Sequence, residues 1–529
     1  ADIEMMGAHT LPDVLNNVPG LQTNDRGSIA TFSGIFIQGA DTFHILVLLD
    51  GVPLNFIGAG LADIAPIPVQ NIERIEIIKG AGSSAWGSAL GGVINIVTKS
   101  PQEERKFGGT LSASIGEKLT RDSRGEASGT VGKLGYYLFA GNLASDGLRP
   151  HTALDLNNIY AKLQWELPNR GNLSLTTAYT RQTVGEGQID SFVLDDKKKN
   201  FLSTLSWHNP ISEKADLDIT LRTTSKRFDS FPAPEVITRE TTYGASIKFT
   251  MREKINSLAV GVDYDHVHYD DGTVMVKSDP WGIFLNDTVT LGQFALTPGI
   301  RYDRMNPVGD FVSPSMGVAW NPNDKTTLRA YVARGYSLPV FFPGVPQEKV
   351  FTVQTGIETT QLNYLWLKTT LFLNYISDHQ TYDENGNIIL IREKKQGVEV
   401  EARTVPVLNT SLSAGYTFID ARNRDTRDVR QNIPRQIVKL GVHYEDRDHA
   451  FRGSLLGRYV WWQASSDSNA TYKPVIWDLN LSKKVLTVRD AAFELFFSAH
   501  NLFNGAQYDD GSIDVNARRW VEGGIRCNF

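Results

Sequence analysis

Residues 365–375 read Leu365-Trp366-Leu367-Lys368-Thr369-Thr370-Leu371-Phe372-Leu373-Asn374-Tyr375. In an extended chain successive side chains point to opposite faces, so Leu365, Leu367, Thr369, Leu371, Leu373 and Tyr375 share one face and Lys368, Thr370, Phe372 and Asn374 the other. The first face is apolar enough for lipid, and the stretch has the ~9–11 residues a tilted strand needs to cross a bilayer. Segments of this kind, separated by turn residues, recur from Gly108 to Phe529. This pattern predicts a transmembrane β-barrel of about 22 antiparallel strands, an even number as expected of a bacterial single-chain barrel.

Composition agrees. The mean hydropathy is −0.23, and the sequence contains no run of about 18 apolar residues that could cross as a helix. In a barrel strand lipid-facing and lumen-facing residues cancel in any window, so low hydropathy is compatible with a membrane protein. The 529 residues carry a net charge of −6 with both signs interspersed, so no basic face points to nucleic acid. The single cysteine, Cys527, excludes an intrachain disulfide framework and a CxxC metal site. A soluble all-β protein is the competing reading, but unbroken hairpins over about 420 residues suit no sandwich.

Tight connections at Leu134-Gly135, Pro168 to Gly171, Asn321 to Lys325 and Arg447 alternate with longer ones, including 184–199, 336–347 and 504–516. That asymmetry predicts short periplasmic turns and longer outer loops. Trp461-Trp462, Trp281, Trp320 and Tyr459 fall near strand ends, where an amphipathic ring suits the lipid–water interface. An outer-membrane location also predicts an export leader upstream of Ala1.

Residues 1–105 read differently from 106–529. Short β-branched runs, Ile45-Leu46-Val47-Leu48-Leu49 and Ile72 to Ile78, lie between Gly, Pro, Asn and Asp turns, and Leu11 to Val18 reads as a helix stopped by Pro19-Gly20. This is a mixed α+β domain. A barrel of about 22 strands encloses a lumen far wider than a metabolite, so the N-terminal domain is expected inside it as a plug.

The N-terminal blocks in order are Leu11-Pro12-Asp13-Val14-Leu15 with Val18-Pro19-Gly20, Ile35-Phe36-Ile37-Gln38-Gly39, and Val47-Leu48-Leu49-Asp50-Gly51-Val52-Pro53-Leu54-Asn55. They continue with Ile72-Glu73-Arg74-Ile75-Glu76-Ile77-Ile78-Lys79-Gly80, Ala85-Trp86-Gly87-Ser88 and Gly91-Gly92-Val93-Ile94-Asn95-Ile96-Val97-Thr98-Lys99. Their order and spacing resemble the plug of TonB-dependent outer-membrane receptors. Asn501-Leu502-Phe503-Asn504 with Tyr508, and the terminal Phe529, resemble the end of that family's 22-stranded barrel.

The resemblance implies active uptake of a scarce, bulky nutrient, powered by the inner-membrane partner TonB, in a barrel embedded in outer-membrane lipid. The TonB-contacting segment of the family is not among these residues. The resemblance also implies a plug–barrel lock of charged pairs. The family usually carries Arg where Gln38 and Lys79 stand, and Glu where Gln354 and Glu399 stand, so Lys79 with Glu399 would remain ionic and Gln38 with Gln354 would be a neutral amide pair. The plug's outward apices, Asn24 to Ser33 and Asn55 to Asp63, are the expected substrate floor. The residues singled out there are Asn24, Arg26, Ser28, Phe32, Asn55, Phe56, Ile57, Leu61 and Asp63.

Short outer loops and the segment Leu54 to Asp63 are similar to cobalamin receptors, which places a corrinoid first and a ferric siderophore close behind. Haem is a weaker fit, since no histidine follows Arg334-Gly335-Tyr336-Ser337-Leu338-Pro339 in 340–347. A passive porin would lack the plug, and an adhesive barrel would show longer loops. No cofactor or metal is implied beyond calcium that outer loops of the family can hold.

Enzymatic chemistry is not expected. Gly80-Ala81-Gly82-Ser83-Ser84 lacks the Walker Lys and a following helix, and Ser83, His44 and Asp50 make no motivated triad. His266 and His268 share a face with Val260, Val262 and Tyr264, so the lipid-facing stripe explains them better than a metal does. Asp263 and Asp265, opposite, are expected on a solvated lumen wall.

Overall fold

The computed structural model describes residues 3–25, 27–189, 192–231, 236–306, 308–338, 345–382, 386–463, 475–505 and 516–529. Among them the barrel is closed and holds 22 antiparallel strands, from Gly108–Gly116 to Trp520–Asn528, which pairs with the first to shut the ring. Met275–Ser278 and Trp281–Leu291 both pair with Asn256–Asp270 and make one strand, broken at Asp279-Pro280 where proline has no N–H to donate. Phe529 joins the closure by exchanging backbone hydrogen bonds with Gly109, at 3.0 and 2.9 Å.

Alternation decides which side chains meet lipid. Leu371 is 51% exposed on the outside, whereas its neighbour Phe372 is 3% exposed and packs inside with Ile419, Ala421 and Ile433. The same parity corrects the reading of Trp461-Trp462, since two consecutive residues cannot share a face. Trp461 stacks under the Arg435 guanidinium, while Trp462 is buried and meets the plug residue Phe36 edge-on at 5.2 Å.

The expected long loop at 184–199 is instead strand. Asn172–Ile189 and Phe192–Ser212 have 18 and 21 residues, well beyond the ~9–11 that span lipid. Their ladder continues to Ile189↔Phe192 past a register shift at Gly185/Gly187. The polar run Asp195 to Asn200 that suggested a loop marks a strand rising above the bilayer. Connections at the inner end are tight, as at 132–133, 213–214, 292–293, 324–325 and 489–490. Some outer ones are longer, as at 146–153 and 424–432, whereas Ile189 to Phe192 and Met305 to Gly309 are joined as closely as the inner ends. Tyr508 and most of 504–516 lie outside the described residues.

The plug fills the lumen. Its four-stranded sheet runs in the order Val52–Pro53, Ile45–Leu49, Gly92–Thr98 and Ile72–Lys79, with Ile45–Leu49 parallel to Gly92–Thr98 and the other pairs antiparallel. Leu21–Asp25 pairs with Ser33–Ile37 in a second sheet. The helix is shorter than expected, Leu11–Leu15, and the Asp13 carboxylate caps it by accepting from the Thr10 N–H at 2.9 Å. Leu11, Leu15, Ile35, Ile45, Ile64 and Ile94 form a core that reaches Leu202 in the wall. Gly80 to Ser84, read as lacking a following helix, does lead into one turn at Ser83–Trp86, whose Trp86 packs against Ala89 and Val93.

Candidate substrate-binding site

Two plug apices face the outer end of the barrel, and each is held by a lysine–glutamate pair from the wall. The Phe32 N–H donates to Glu186 at 2.8 Å, and Lys198 bridges Glu186 at 3.2 Å to Asp63 at 2.6 Å. At the second apex the Ile57 N–H donates to Glu240 at 2.6 Å, while Lys226 donates to Glu240 at 3.0 Å and to the Asn55 carbonyl at 2.7 Å. Lys198, Glu186, Lys226 and Glu240 are all buried, so each charge depends on its partner. Nothing in the local sequence flags these four as a set, although a lysine on the lumen face of a strand is the available signal.

The structure sorts the residues expected on the substrate floor. Phe56 is half-buried with the Lys226 ammonium 5.0 Å from its ring centre, and Leu61 accepts from the Phe56 N–H at 2.8 Å to close the loop. Asn55 turns its amide inward, accepting from Val47 N–H at 2.9 Å and donating to the Ile45 carbonyl at 2.9 Å, so it shapes the loop. Ser28 accepts from the Leu148 N–H at 3.3 Å, and Asn24 sits in the ladder opposite Gly34. Arg26 lies outside the described residues. Beside the second apex a cavity of about 130 Å³ is lined by Phe43, Phe56, Ile57, Trp86, Arg301 and Tyr336. A larger crevice of about 590 Å³ lies toward the inner end, between residues 3–9 of the plug and the wall.

The lock residues meet in two contacts. Lys79 forms an ion pair with Glu399, stands 3.7 Å from Glu401, and donates to the Pro19 carbonyl at 2.9 Å. The Gln354 amide donates to Gln38 and to the Lys79 carbonyl, both at 3.1 Å. Gly20, at φ +75°, lies so close over the pair that a Cβ there would collide with Glu399 and come within 2.9 Å of Lys79 Nζ. Only glycine combines that backbone with that approach.

Further plug–wall contacts escaped the sequence. Asp50 accepts from Thr98 at 2.6 Å and Tyr160 at 2.9 Å and lies 3.4 Å from Lys162. His9 places Nδ1 2.5 Å from Asp122 and Nε2 2.9 Å from Glu522, with Arg124 alongside at 3.3 Å. Burial opposes charge on His9, but Glu522 and Asp122 outweigh it and its pKa is pushed up to about 10. The lumen-wall carboxylates expected to be solvated are ion-paired instead, Asp263 with Arg301 and Asp265 with Arg222, each at 2.8 Å. His266 points outward and pairs with Asp279 at 2.7 Å.

Comparison with known proteins matches residues 1–93 to the TonB-dependent receptor plug domain and residues 107–502 to the TonB-dependent receptor-like β-barrel. Solved structures are similar throughout. The FrpB iron transporter from Neisseria meningitidis superposes with a TM-score of 0.84 at 15% identity, covering 100% of this chain and 98% of that one. The ferric citrate transporter FecA gives 0.82 at 18%, covering 100% and 96%. The copper transporter OprC gives 0.84 at 16%, covering 99% and 97%. At such identities the likeness is one of fold.

Proposed function

The chain belongs to the TonB-dependent receptors of the bacterial outer membrane, and we propose that within this family it imports a bulky, near-neutral metal chelate, a corrinoid such as cobalamin, with energy from TonB. The observation carrying the ligand class is the charge state of the floor. Among the described residues, the wall lysines that contact the apices, Lys198 and Lys226, are both matched by buried carboxylates. A floor built for an anionic ferric chelate would instead offer unmatched Lys or Arg. Phe56, Ile57 and Leu61 supply apolar contact, and the few polar groups are fixed in orientation, the combination that suits a large ligand recognised by shape and hydrogen bonds rather than by net charge.

A ferric siderophore is the second reading, favoured by the same fold in an iron transporter, a ferric citrate transporter and a siderophore receptor. The deciding experiment is equilibrium binding of the purified protein to cyanocobalamin, haem and a panel of ferric siderophores. Saturable binding of cyanocobalamin alone supports the proposal. Saturable binding of an anionic ferric chelate, with none to cyanocobalamin, replaces it with the second reading.

A further inference from the structure

His44 and Glu348 stand 304 residues apart in sequence, and His379 a further 31, yet their side chains converge on one point between plug and wall. His44 Nε2 is 2.6 Å and His379 Nδ1 3.1 Å from the same oxygen, Glu348 Oε2, and the three ligand-type atoms all lie within 4.8 Å of one another. All three residues are buried, at 2%, 6% and 6% exposure.

Local structure aims each of them. His44 ends the turn Thr42–His44 ahead of Ile45–Leu49 and packs where Gly91 has no side chain, since a Cβ at Gly91 would approach the His44 Cβ to 3.0 Å. Glu348 opens the strand Glu348–Thr359, and its second oxygen accepts from the Gln380 N–H at 3.0 Å. His379 follows a register shift between Ile376 and His379, with Asp378 at φ +60°. Ile376 faces inward, so strict alternation would turn residue 379 toward lipid. The bulge reverses that and delivers the imidazole to the plug.

The far nitrogens also face carboxylates. His44 Nδ1 is 3.3 Å from Asp41, and His379 Nε2 is 3.7 Å from Glu393 and 3.5 Å from the Arg430 that pairs with it. An imidazole with one nitrogen on a shared centre and the other toward a carboxylate is the arrangement that fixes tautomer and raises basicity in metal ligands.

We propose that His44, His379 and Glu348 bind a divalent transition ion of the zinc class, which ties the outer half of the plug to the wall. Ligand bonds of about 2.0–2.2 Å require the three atoms to open to roughly 3.3–3.5 Å, a small rotation of each side chain. The ligand set, two imidazoles and a carboxylate, selects Zn²⁺ or Co²⁺ over Ca²⁺ or Mg²⁺.

The test uses the intact, detergent-solubilised protein, stripped with chelator and titrated with Zn²⁺ and Co²⁺. One ion per chain and a tetrahedral Co²⁺ absorption band are expected in the wild type and in His9→Gln. Binding at least tenfold weaker, with the band lost, is expected in His44→Gln and His379→Gln, each checked for a closed barrel by its resistance to unfolding in detergent. Absence of stoichiometric binding in the wild type overturns the proposal, as does wild-type binding in both folded variants. The latter result would leave the cluster as a hydrogen-bonded His–Glu–His bridge.

Discussion

Lys79 has two carboxylates within reach, and this shapes what its loss of a partner would do. Removing one member of a fully dry ion pair costs about 3–5 kcal/mol because a charge is stranded. Here Glu401 stands 3.7 Å from the same ammonium, so Glu399→Gln leaves a partner in place. The single substitution is expected to loosen the plug by less than that range, and Glu399→Gln with Glu401→Gln by nearly all of it. Gln354→Ala removes two neutral hydrogen bonds, to Gln38 and to the Lys79 carbonyl, and leaves those groups unmet at about 1–3 kcal/mol. Hydrogen exchange across 72–80 should therefore rank the double variant fastest. Equal rates in all of them would show that the pair carries no share of plug stability.

His9 gives a pH dependence of definite sign. Asp122, Glu522 and Arg124 face its ring, the Asp13 carboxylate caps its N–H, and His500 lies 3.5 Å from Glu522. Its folded pKa of about 10 is above the unfolded value of 6.5. The stabilisation is complete below pH 6.5, declines as pH rises, and is gone above about 10. The urea midpoint for loss of plug structure should fall between pH 7 and 10 in the wild type, and His9→Gln should flatten that fall. A parallel fall in both would assign the dependence to other groups.

Lys79 and Glu399 were legible in the sequence because each sits in a motif block whose counterpart carries a charge. His44, Glu348 and His379 were not. Their meeting depends on closure of a ring hundreds of residues long and on a one-residue bulge that flips side-chain parity. Likewise Asn55 reads as a polar contact until the loop folds around its amide.

At the scale of elements, the apices are loops made rigid by borrowed charges. The loop Asn55 to Asp63 turns at Gly58-Ala59-Gly60 and has little core of its own, so Glu240 and Lys226 fix it by holding one N–H and one carbonyl. Lys226→Met should strand Glu240, speed hydrogen exchange at 55–63 and weaken ligand binding about tenfold, or ~1.4 kcal/mol, through lost preorganisation. Replacing Phe56 and Ile57 with serines should weaken binding at least as much while leaving exchange at 72–80 unchanged. Unaltered affinity in the second variant would move the site to the barrel loops. The barrel strands, by contrast, were largely readable from alternation, with the resemblance to the family helping to set their number. The reading failed where strands outrun the bilayer, because above the headgroups the outward face becomes polar and resembles a loop, and at Leu134-Gly135, read as a connection, which opens the strand Leu134–Ser145.

For the whole molecule, the question is what moves the plug. The plug core is continuous with the wall at Leu202, and charged contacts ring it at Asp50, Lys79, His9, His44 and Asp63. No single contact holds it, so thermal fluctuation would have to release several buried charges together, each stranded at a cost of a few kcal/mol. Ligand binding at the apices can bias this equilibrium only by its differential affinity for the moved state. On the proposed function, an external pull from TonB would supply that release in each turnover, whereas a porin would need none. Uptake of the nutrient by cells that depend on the full-length protein should stop when TonB is deleted or the inner-membrane proton gradient collapses, with ligand binding at the surface intact. A barrel lacking the plug, residues 108–529, should leak small solutes in either background. Uptake that continues without TonB would mean that a passage opens beside the plug, and the inner crevice between residues 3–9 and the wall is where it would have to run.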